Sequence, residues 1–430
     1  MSTTTGGPLL SVAATATEEA VEAGHSVGGE TLVIFFLFAA LFLGGIFKEV
    51  NKKTKIPYTP MLFIVGIVCG KFHSSLGIFG ASLHTISEVD PHGLLLIFLP
   101  ILIFESGFNA DWHIFKRQFV QVIILAVPCV IISAVFVAFS IKVVLGYDDN
   151  YYTWLTAFMF GAILSCTDTV AVLALLKEAG ASKKFGALIE GESLINDGTC
   201  MVLLTIASEI YKGKSMSPAE ITSVFCQLTL GGTVLGIVFG IFSAIWIRKI
   251  FNDEILVVNI TLIACYMVYF VAENIDLGIK ISGIISLVSL GLFMAAFGRT
   301  RINSESEHAV HTFWKYAVYC AETVIFLIAG IIIGVKVLLN TEDVHDESVM
   351  PITQDDYIKL FGLYGCMTVS RFLSISVFMP ILRRHGYGLS WREVLLWGLL
   401  FSNNKIGLYI DLWRFERSNR NQFCVDCRKR

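Results

Sequence analysis

This chain is short of charge. Asp, Glu, Lys and Arg make up 16% of its 430 residues, whereas 55% are hydrophobic and the mean hydropathy is +0.71. Soluble domains carry about 25% charged residues, so a soluble enzyme is excluded. Also missing are a P-loop, a nucleophile elbow and an HExxH zinc motif, and with them the reaction classes those motifs serve. No enzymatic activity and no resident cofactor are expected. A basic stripe with interleaved aromatics is absent, and a net charge of −3 offers nothing to nucleic acid. The ten cysteines form no disulfide framework: Cys69, Cys129, Cys166, Cys200, Cys226, Cys265, Cys320 and Cys366 are scattered through apolar segments, where cysteine acts as a small hydrophobe. Cys424 and Cys427 form a lone CxxC without the two further ligands a zinc site needs. His92, His113, His308 and His311 read as ordinary interfacial residues. Residues 1–30 carry Glu18, Glu19, Glu22 and Glu30 but no basic n-region of a secretory signal, and read as a disordered tail.

What the chain does have is apolar runs of bilayer-crossing length. About twelve segments are expected, near 32–47, 57–70, 92–108, 118–145, 153–176, 187–211, 221–247, 254–272, 279–298, 314–339, 357–382 and 393–412. The expectation is an all-α polytopic membrane protein, with a membrane domain over 31–412 and a basic tail over 413–430. Loop charge gives the orientation. Basic residues follow every odd-numbered segment through the eleventh, for example Lys52 and Lys53, Arg248 and Lys249, and Arg299 and Arg301. Even-numbered exits are acidic, as at Asp148 and Asp149. The N-terminal tail is therefore placed outside and the basic loops in the cytoplasm. The twelfth segment breaks the pattern: it contains Asn403, Asn404 and Lys405 and precedes a tail with Arg414, Arg417, Arg420, Arg428, Lys429 and Arg430, so it is expected not to span cleanly. The 36 glycines suit close helix packing in lipid, although the GxxxG at Gly66 and Gly70 is a weak signal in so glycine-rich a chain.

A few charges lie inside the apolar runs. Each is costly there, at least about 2.5–3.5 kcal/mol on the mildest scale, and each is a functional candidate. The foremost is Asp197, in Ile189-Glu190-Gly191-Glu192-Ser193-Leu194-Ile195-Asn196-Asp197-Gly198-Thr199. It has three possible roles: cation ligand, proton carrier, or structural partner of a buried base. One carboxylate can serve a proton and a small metal cation alternately, because both compete for the same oxygens. Asn196 and Ser193 would add neutral oxygens or fix the helix. Asp168, in Leu164-Ser165-Cys166-Thr167-Asp168-Thr169-Val170, stands among short polar residues that can satisfy a broken helix, or it is a helix-terminal acid at an interface. Glu192 is five residues from Asp197 and off its helical face; brace and direct ligand are equally open. Glu105 ends its segment and is either an ion ligand or interfacial. Glu322 and Arg371 are buried-looking charges of opposite sign that could pair with each other as part of the architecture.

At these motifs the sequence resembles the monovalent cation:proton antiporters, specifically the sodium/proton exchangers, from about residue 31 to 398 and most strongly over 164–199. The wording is most similar to the branch of plant salt-tolerance and sperm-type exchangers. The resemblance implies an inverted-repeat fold of thirteen helices, a dimerisation domain and a mobile core moving like an elevator. It implies that Asp197 is the essential cation and proton carboxylate, that Asn196 is the Asn associated with electroneutral exchange, and that Thr167 and Asp168 are the broken-helix pair. It makes Ser193 and Glu105 supporting ion ligands, and Glu192 a brace paired with an arginine in a later helix. The substrates implied are sodium and protons, with Asp197 binding metal only as the transported monovalent cation. A homodimer in the lipid of the plasma membrane, regulating intracellular pH and sodium, is the setting implied.

Two departures stand out. Thr169 replaces the usual proline of the Thr-Asp-Pro motif. The family's Trp-Gly-Gly-Leu-Arg-Gly is replaced by Trp397-Gly398-Leu399-Leu400-Phe401-Ser402-Asn403-Asn404, so Glu192 is expected to lack its arginine and the chain to lack the last core helices. An alternative expectation follows: a truncated, non-transporting isoform that dimerises with and modulates the full-length exchanger. A cation channel is a weaker third reading, since no selectivity-filter sequence is present.

Overall fold

The computed structural model describes residues 29–54, 58–89, 91–146, 153–166, 173, 176, 182–250, 253–274, 280–336 and 354–388. Among the described residues regular structure is entirely helical. In chain order the helices are α1 (Gly29–Thr54), α2 (Tyr58–Lys71), α3 (Gly77–Ser87), α4 (Pro91–Asn109), α5 (Trp112–Ala126), α6 (Pro128–Phe139), α7 (Trp154–Ser165), α8 (Lys183–Tyr211), α9 (Pro218–Arg248), α10 (Glu254–Asn274), α11 (Gly283–Phe293), α12 (Ser304–Lys336) and α13 (Gln354–Arg384). Each of the first eleven expected segments contains a helix. The twelfth segment and the two tails, 1–28 and 413–430, lie outside the described residues. Seven helical stretches are long and apolar enough to cross a bilayer, among them Trp112–Val144, Pro218–Arg248 and Gly283–Arg301. α8 has 29 residues, enough to cross at 1.5 Å per residue, but Glu192 and Asp197 lower its hydropathy.

Two details differ from expectation. The segment 118–145 is not one straight helix: Val127 sits at φ −110°, ψ −76° between α5 and α6. Pro128 causes this, since its ring disfavours helical geometry in the residue before it and it has no N–H to give. The second is α3, an eleven-residue helix whose Ser82, His84, Thr85 and Ser87 hid it from a hydropathy reading. Three of them keep their hydroxyls occupied by donating back to carbonyls of their own helix, Ser82 to Phe79, Thr85 to Ala81 and Ser87 to His84.

The chain divides into two compact units, one of residues 1–105 and 308–353, the other of 106–307 and 354–430. In the first, the core gathers Phe36 and Ala40 of α1, Leu83 and Ile86 of α3, and Val324, Leu327, Ile328 and Ile331 of α12. α2 and α12 touch backbone to backbone. A methyl group on Gly66 would lie 2.5 Å from the Leu327 carbonyl oxygen, and one on Gly330 would lie 2.3 Å from that of Phe63. One turn on, Gly70 and Gly334 repeat the arrangement against Ile331 and Ile67. The GxxxG of α2 thus meets a second one on α12, a close approach that lipid-embedded helices use because lipid gives no hydrophobic drive to association. Next to it, the Tyr58 and Thr323 hydroxyls meet at 2.5 Å and Tyr58 stacks on Tyr319.

In the second unit, α9 and α11 run parallel. Gly232, Gly236 and Gly240 of α9 lie in turn against Ser282, Ser286 and Phe293, residue numbers rising together. Their exits, with Arg248 and Lys249 on one and Arg299 and Arg301 on the other, therefore share one end, as the charge rule requires. A further core joins α5, α8 and α13 through Phe115, Val122, Leu188, Ile189, Ile375 and Met379. Outward-facing Leu230, Val234, Val238 and Phe242 of α9 are exposed apolar side chains of the kind lipid covers.

The glycine contact is tested by Gly66→Ala. It should destabilise the purified protein by about 1–3 kcal/mol through overpacking, read as a fall in thermal unfolding temperature in detergent. Gly45→Ala, whose methyl group would meet nothing within 4 Å, should stay within about 0.5 kcal/mol.

Candidate functional site

The site is built on α8. Ser182 caps its start, its hydroxyl accepting from the Phe185 N–H at 3.3 Å. From there two polar edges run along the helix at a spacing of four. Glu192, Asn196 and Cys200 form a buried edge, the first two with no exposed surface. Ser193 and Asp197 form a second, half-buried edge. The separation of Glu192 from Asp197 that the spacing implies is thus realised.

The buried edge is met by two other helices, with Glu192 Oε2 left without a hydrogen-bond partner among the described residues. From α13, the Arg371 guanidinium donates through Nη2 to Glu192 Oε1 in a buried ion pair. Its Nη1 donates to the Ser165 carbonyl at 3.4 Å. Asn196 Nδ2 reaches the same two acceptors, Glu192 Oε1 and the Ser165 carbonyl, both at 3.5 Å. Its Oδ1 accepts from the Cys200 thiol at 3.3 Å. Ser165 is the last residue of α7, and Cys166 after it is extended, at φ −71°, ψ 117°. A helix that stops leaves its last carbonyls without intrahelical partners and carries a partial negative charge there. A guanidinium and an amide answer both needs.

The break also places a donor on the acid. The Cys166 thiol donates to Asp197 Oδ1 at 2.9 Å. Around this, α13 is pinned to α6 by Ser370, whose hydroxyl donates to the Ser133 carbonyl at 3.2 Å and lies 3.1 Å from the Ser133 hydroxyl. Cys129 donates to the Ser374 carbonyl at 3.5 Å.

Of the residues singled out in the sequence, Asp197, Asn196, Ser193, Glu192 and Arg371 all lie in the second unit, and Glu192, Asn196 and Arg371 share one hydrogen-bonded cluster. Thr167 and Asp168 follow Cys166 directly but lie outside the described residues. Glu105 and Glu322 belong to the first unit. One contact corrects two expectations. Arg371 takes Glu192 as its acid where Glu322 was the candidate, and Glu192 does not lack an arginine. The two residues are 179 positions apart, so no local spacing links them. The usable signal was a cation at the middle of α13, flanked by Ser370 and Ser374 and in need of an acid at that depth. Cys166 was missed because a thiol in an apolar run reads as a hydrophobe.

A sequence profile described as sodium/hydrogen exchanger, transmembrane, matches residues 33–406. The chain belongs to the sodium/hydrogen exchanger family. The match extends past Gly398, where the resemblance in the sequence was expected to end. Sodium/hydrogen exchanger 7 of Arabidopsis thaliana is 35% identical over 392 residues, which are 88% of this chain and 33% of the relative. Sodium/hydrogen exchanger 8 of the same plant is 36% identical over 370 residues, 85% and 47% of the two chains. Mouse solute carrier family 9 member C1 is 24% identical over 374 residues, 85% and 30%. This exchanger-family chain spans a third to a half of the length of those plant relatives. The fold is similar to the solved structure of the sodium proton antiporter MjNhaP1 from Methanocaldococcus jannaschii, with a TM-score of 0.67 at 20% identity over 90% of this chain and 88% of that one.

The ion pair yields a stability test. Glu192→Gln or Arg371→Met alone should cost about 3–5 kcal/mol, because each strands the other charge. Made together, the two should cost less than the sum of the single changes. Thermal unfolding of the four proteins in detergent measures the coupling, and strict additivity would show that the pair does not act as a unit.

Proposed function

We propose that this chain exchanges sodium for protons across the plasma membrane, driven by ion gradients and electroneutral, with Asp197 as the carrying carboxylate. The observation that bears the proposal is the position of Asp197: a half-buried carboxylate, held by Cys166 where α7 stops, on a helix whose adjacent edge is locked by a buried ion pair. A half-exposed acid can be reached by ions. Its rigid neighbour Asn196, tied to Glu192 and the Ser165 carbonyl, keeps α8 and the end of α7 in register. Ser193, one turn before Asp197, is proposed to add an oxygen ligand; the supporting roles of Thr167, Asp168 and Glu105 are proposed from the family resemblance alone. Glu192 and Arg371 brace the site without carrying the ion.

The chemistry follows from a single carboxylate. It holds one proton or one sodium ion, and either leaves it neutral overall. A sodium ion released on one side is replaced by a proton, so each cycle moves one of each in opposite directions without net charge. The names of the plant relatives and of the archaeal antiporter support this reading, as does the family. Homodimerisation, an external N-terminal tail and control of intracellular pH and sodium are proposed with it.

Asp197→Asn tests the carrier. In proteoliposomes with a sodium gradient, its sodium-dependent proton flux should fall below about one tenth of the parent's, since the amide cannot carry the proton, while its elution and unfolding temperature stay those of a folded protein. Flux above that level would remove Asp197 from the role. A parent chain that folds but shows no flux would favour the modulatory-subunit reading instead.

Competition gives a second test. The apparent sodium affinity of the parent should weaken as pH falls, because protons take the same oxygens. A sodium affinity independent of pH, with only the maximal rate changing, would indicate separate sites.

A further inference from the structure

Two cavities adjoin at the exit ends of α9 and α11. The first, of about 430 Å³, is walled by apolar side chains including Phe119, Ile123, Phe225, Ile237 and Val288. The second, of about 410 Å³, is lined by Ile241, Ile245, Arg248, Lys249 and Arg301. Phe293 and Phe297 line both, so the two meet along these rings. Three cations therefore face one pocket whose lining contains no acid, and among the described residues none of them is in an ion pair. A basic pocket that adjoins a greasy one is matched by a molecule with an anionic head and a hydrocarbon tail.

We propose that these cavities form a binding site for one anionic phospholipid, its phosphate held by Arg248, Lys249 and Arg301 and one acyl chain lying in the apolar cavity. Length supports the fit. The α11 side of the apolar cavity runs from Ile285 to Phe297, roughly 18 Å at 1.5 Å per residue. An acyl chain running from the headgroup to the midplane covers about 15 Å, half of the hydrocarbon core. Charge supports it as well. The three cations follow odd-numbered segments and belong on the cytoplasmic side, whose leaflet holds the anionic lipids. The far end of the apolar cavity is lined by Gly198 and Thr199, directly after Asp197 on α8, so the tail would dry one side of the helix that carries the acid.

The site is tested on the purified full chain, stripped of lipid in detergent, by native mass spectrometry and thermal unfolding. Phosphatidylglycerol should bind and raise the unfolding temperature where phosphatidylcholine at the same concentration does not. Arg248→Gln, Lys249→Gln and Arg301→Gln combined should weaken that binding at least about tenfold, as loss of three lipid-facing cations predicts. Ile237→Trp, which fills the apolar cavity and leaves the cations in place, should weaken it too. The unfolding temperature of each variant without lipid shows whether it is folded. Equal binding of phosphatidylcholine, undiminished phosphatidylglycerol binding by the triple variant, or undiminished binding by Ile237→Trp would overturn the proposal. So would stabilisation by glycerol phosphate equal to that by the phospholipid, which would make the pocket a site for small anions.

Discussion

Arg371 and Glu192 meet among apolar helices, and much of the second unit is arranged around that meeting. Two charges taken out of water cost more than their attraction returns unless their remaining donors and acceptors are also met. Here Arg371 also serves the Ser165 carbonyl and Asn196 reinforces both acceptors, while Glu192 Oε2 stays buried with no hydrogen-bond partner among the described residues. The result ties α7, α8 and α13 at one depth. It also explains how a helix can stop inside the bundle: the break is answered by side chains anchored elsewhere, which is the condition for irregular backbone away from water.

The same constraint acts differently in the two units. In the first, the described helices approach through glycine, with Gly66 and Gly70 against Gly330 and Gly334, and the gain is backbone contact. In the second, glycines of α9 seat α11 and Gly161 of α7 lies against the Ala134 carbonyl of α6, and polar contacts of Ser, Cys, Asn and Arg are added among α6, α7, α8 and α13. Dispersion and close approach suffice where no helix is interrupted. Hydrogen bonding is added where one is.

Fold class was legible because apolar runs with few charges mark helices in lipid, and because basic residues alternate from exit to exit. The parallel course of α9 and α11, with Arg248 and Arg301 at one end, is the spatial form of that alternation. The acid–amide pair at Asn196 and Asp197 was legible as a candidate because polar groups in an apolar run carry a cost. What could not be read was partnership. Arg371 and Glu192 are joined only by the fold, 179 positions apart, and opposite charge in apolar runs could not say which acid Arg371 would take. The break at Val127 was present in Pro128 but masked by unbroken hydropathy. The thiol of Cys166 was invisible as a donor because its role comes from Asp197 on another helix.

A carbonyl oxygen has two lone pairs, and at Ser165 both have a protein donor, one from Arg371 and one from Asn196. In many broken helices water does that work. A water there would also be a stepping stone, since protons pass along chains of water far faster than sodium can. By filling both positions with side chains, the protein closes that carbonyl to hydration. For the exchange proposed above, insulation at the break would matter as much as binding: a proton that crossed alone would dissipate the gradient such an exchange depends on.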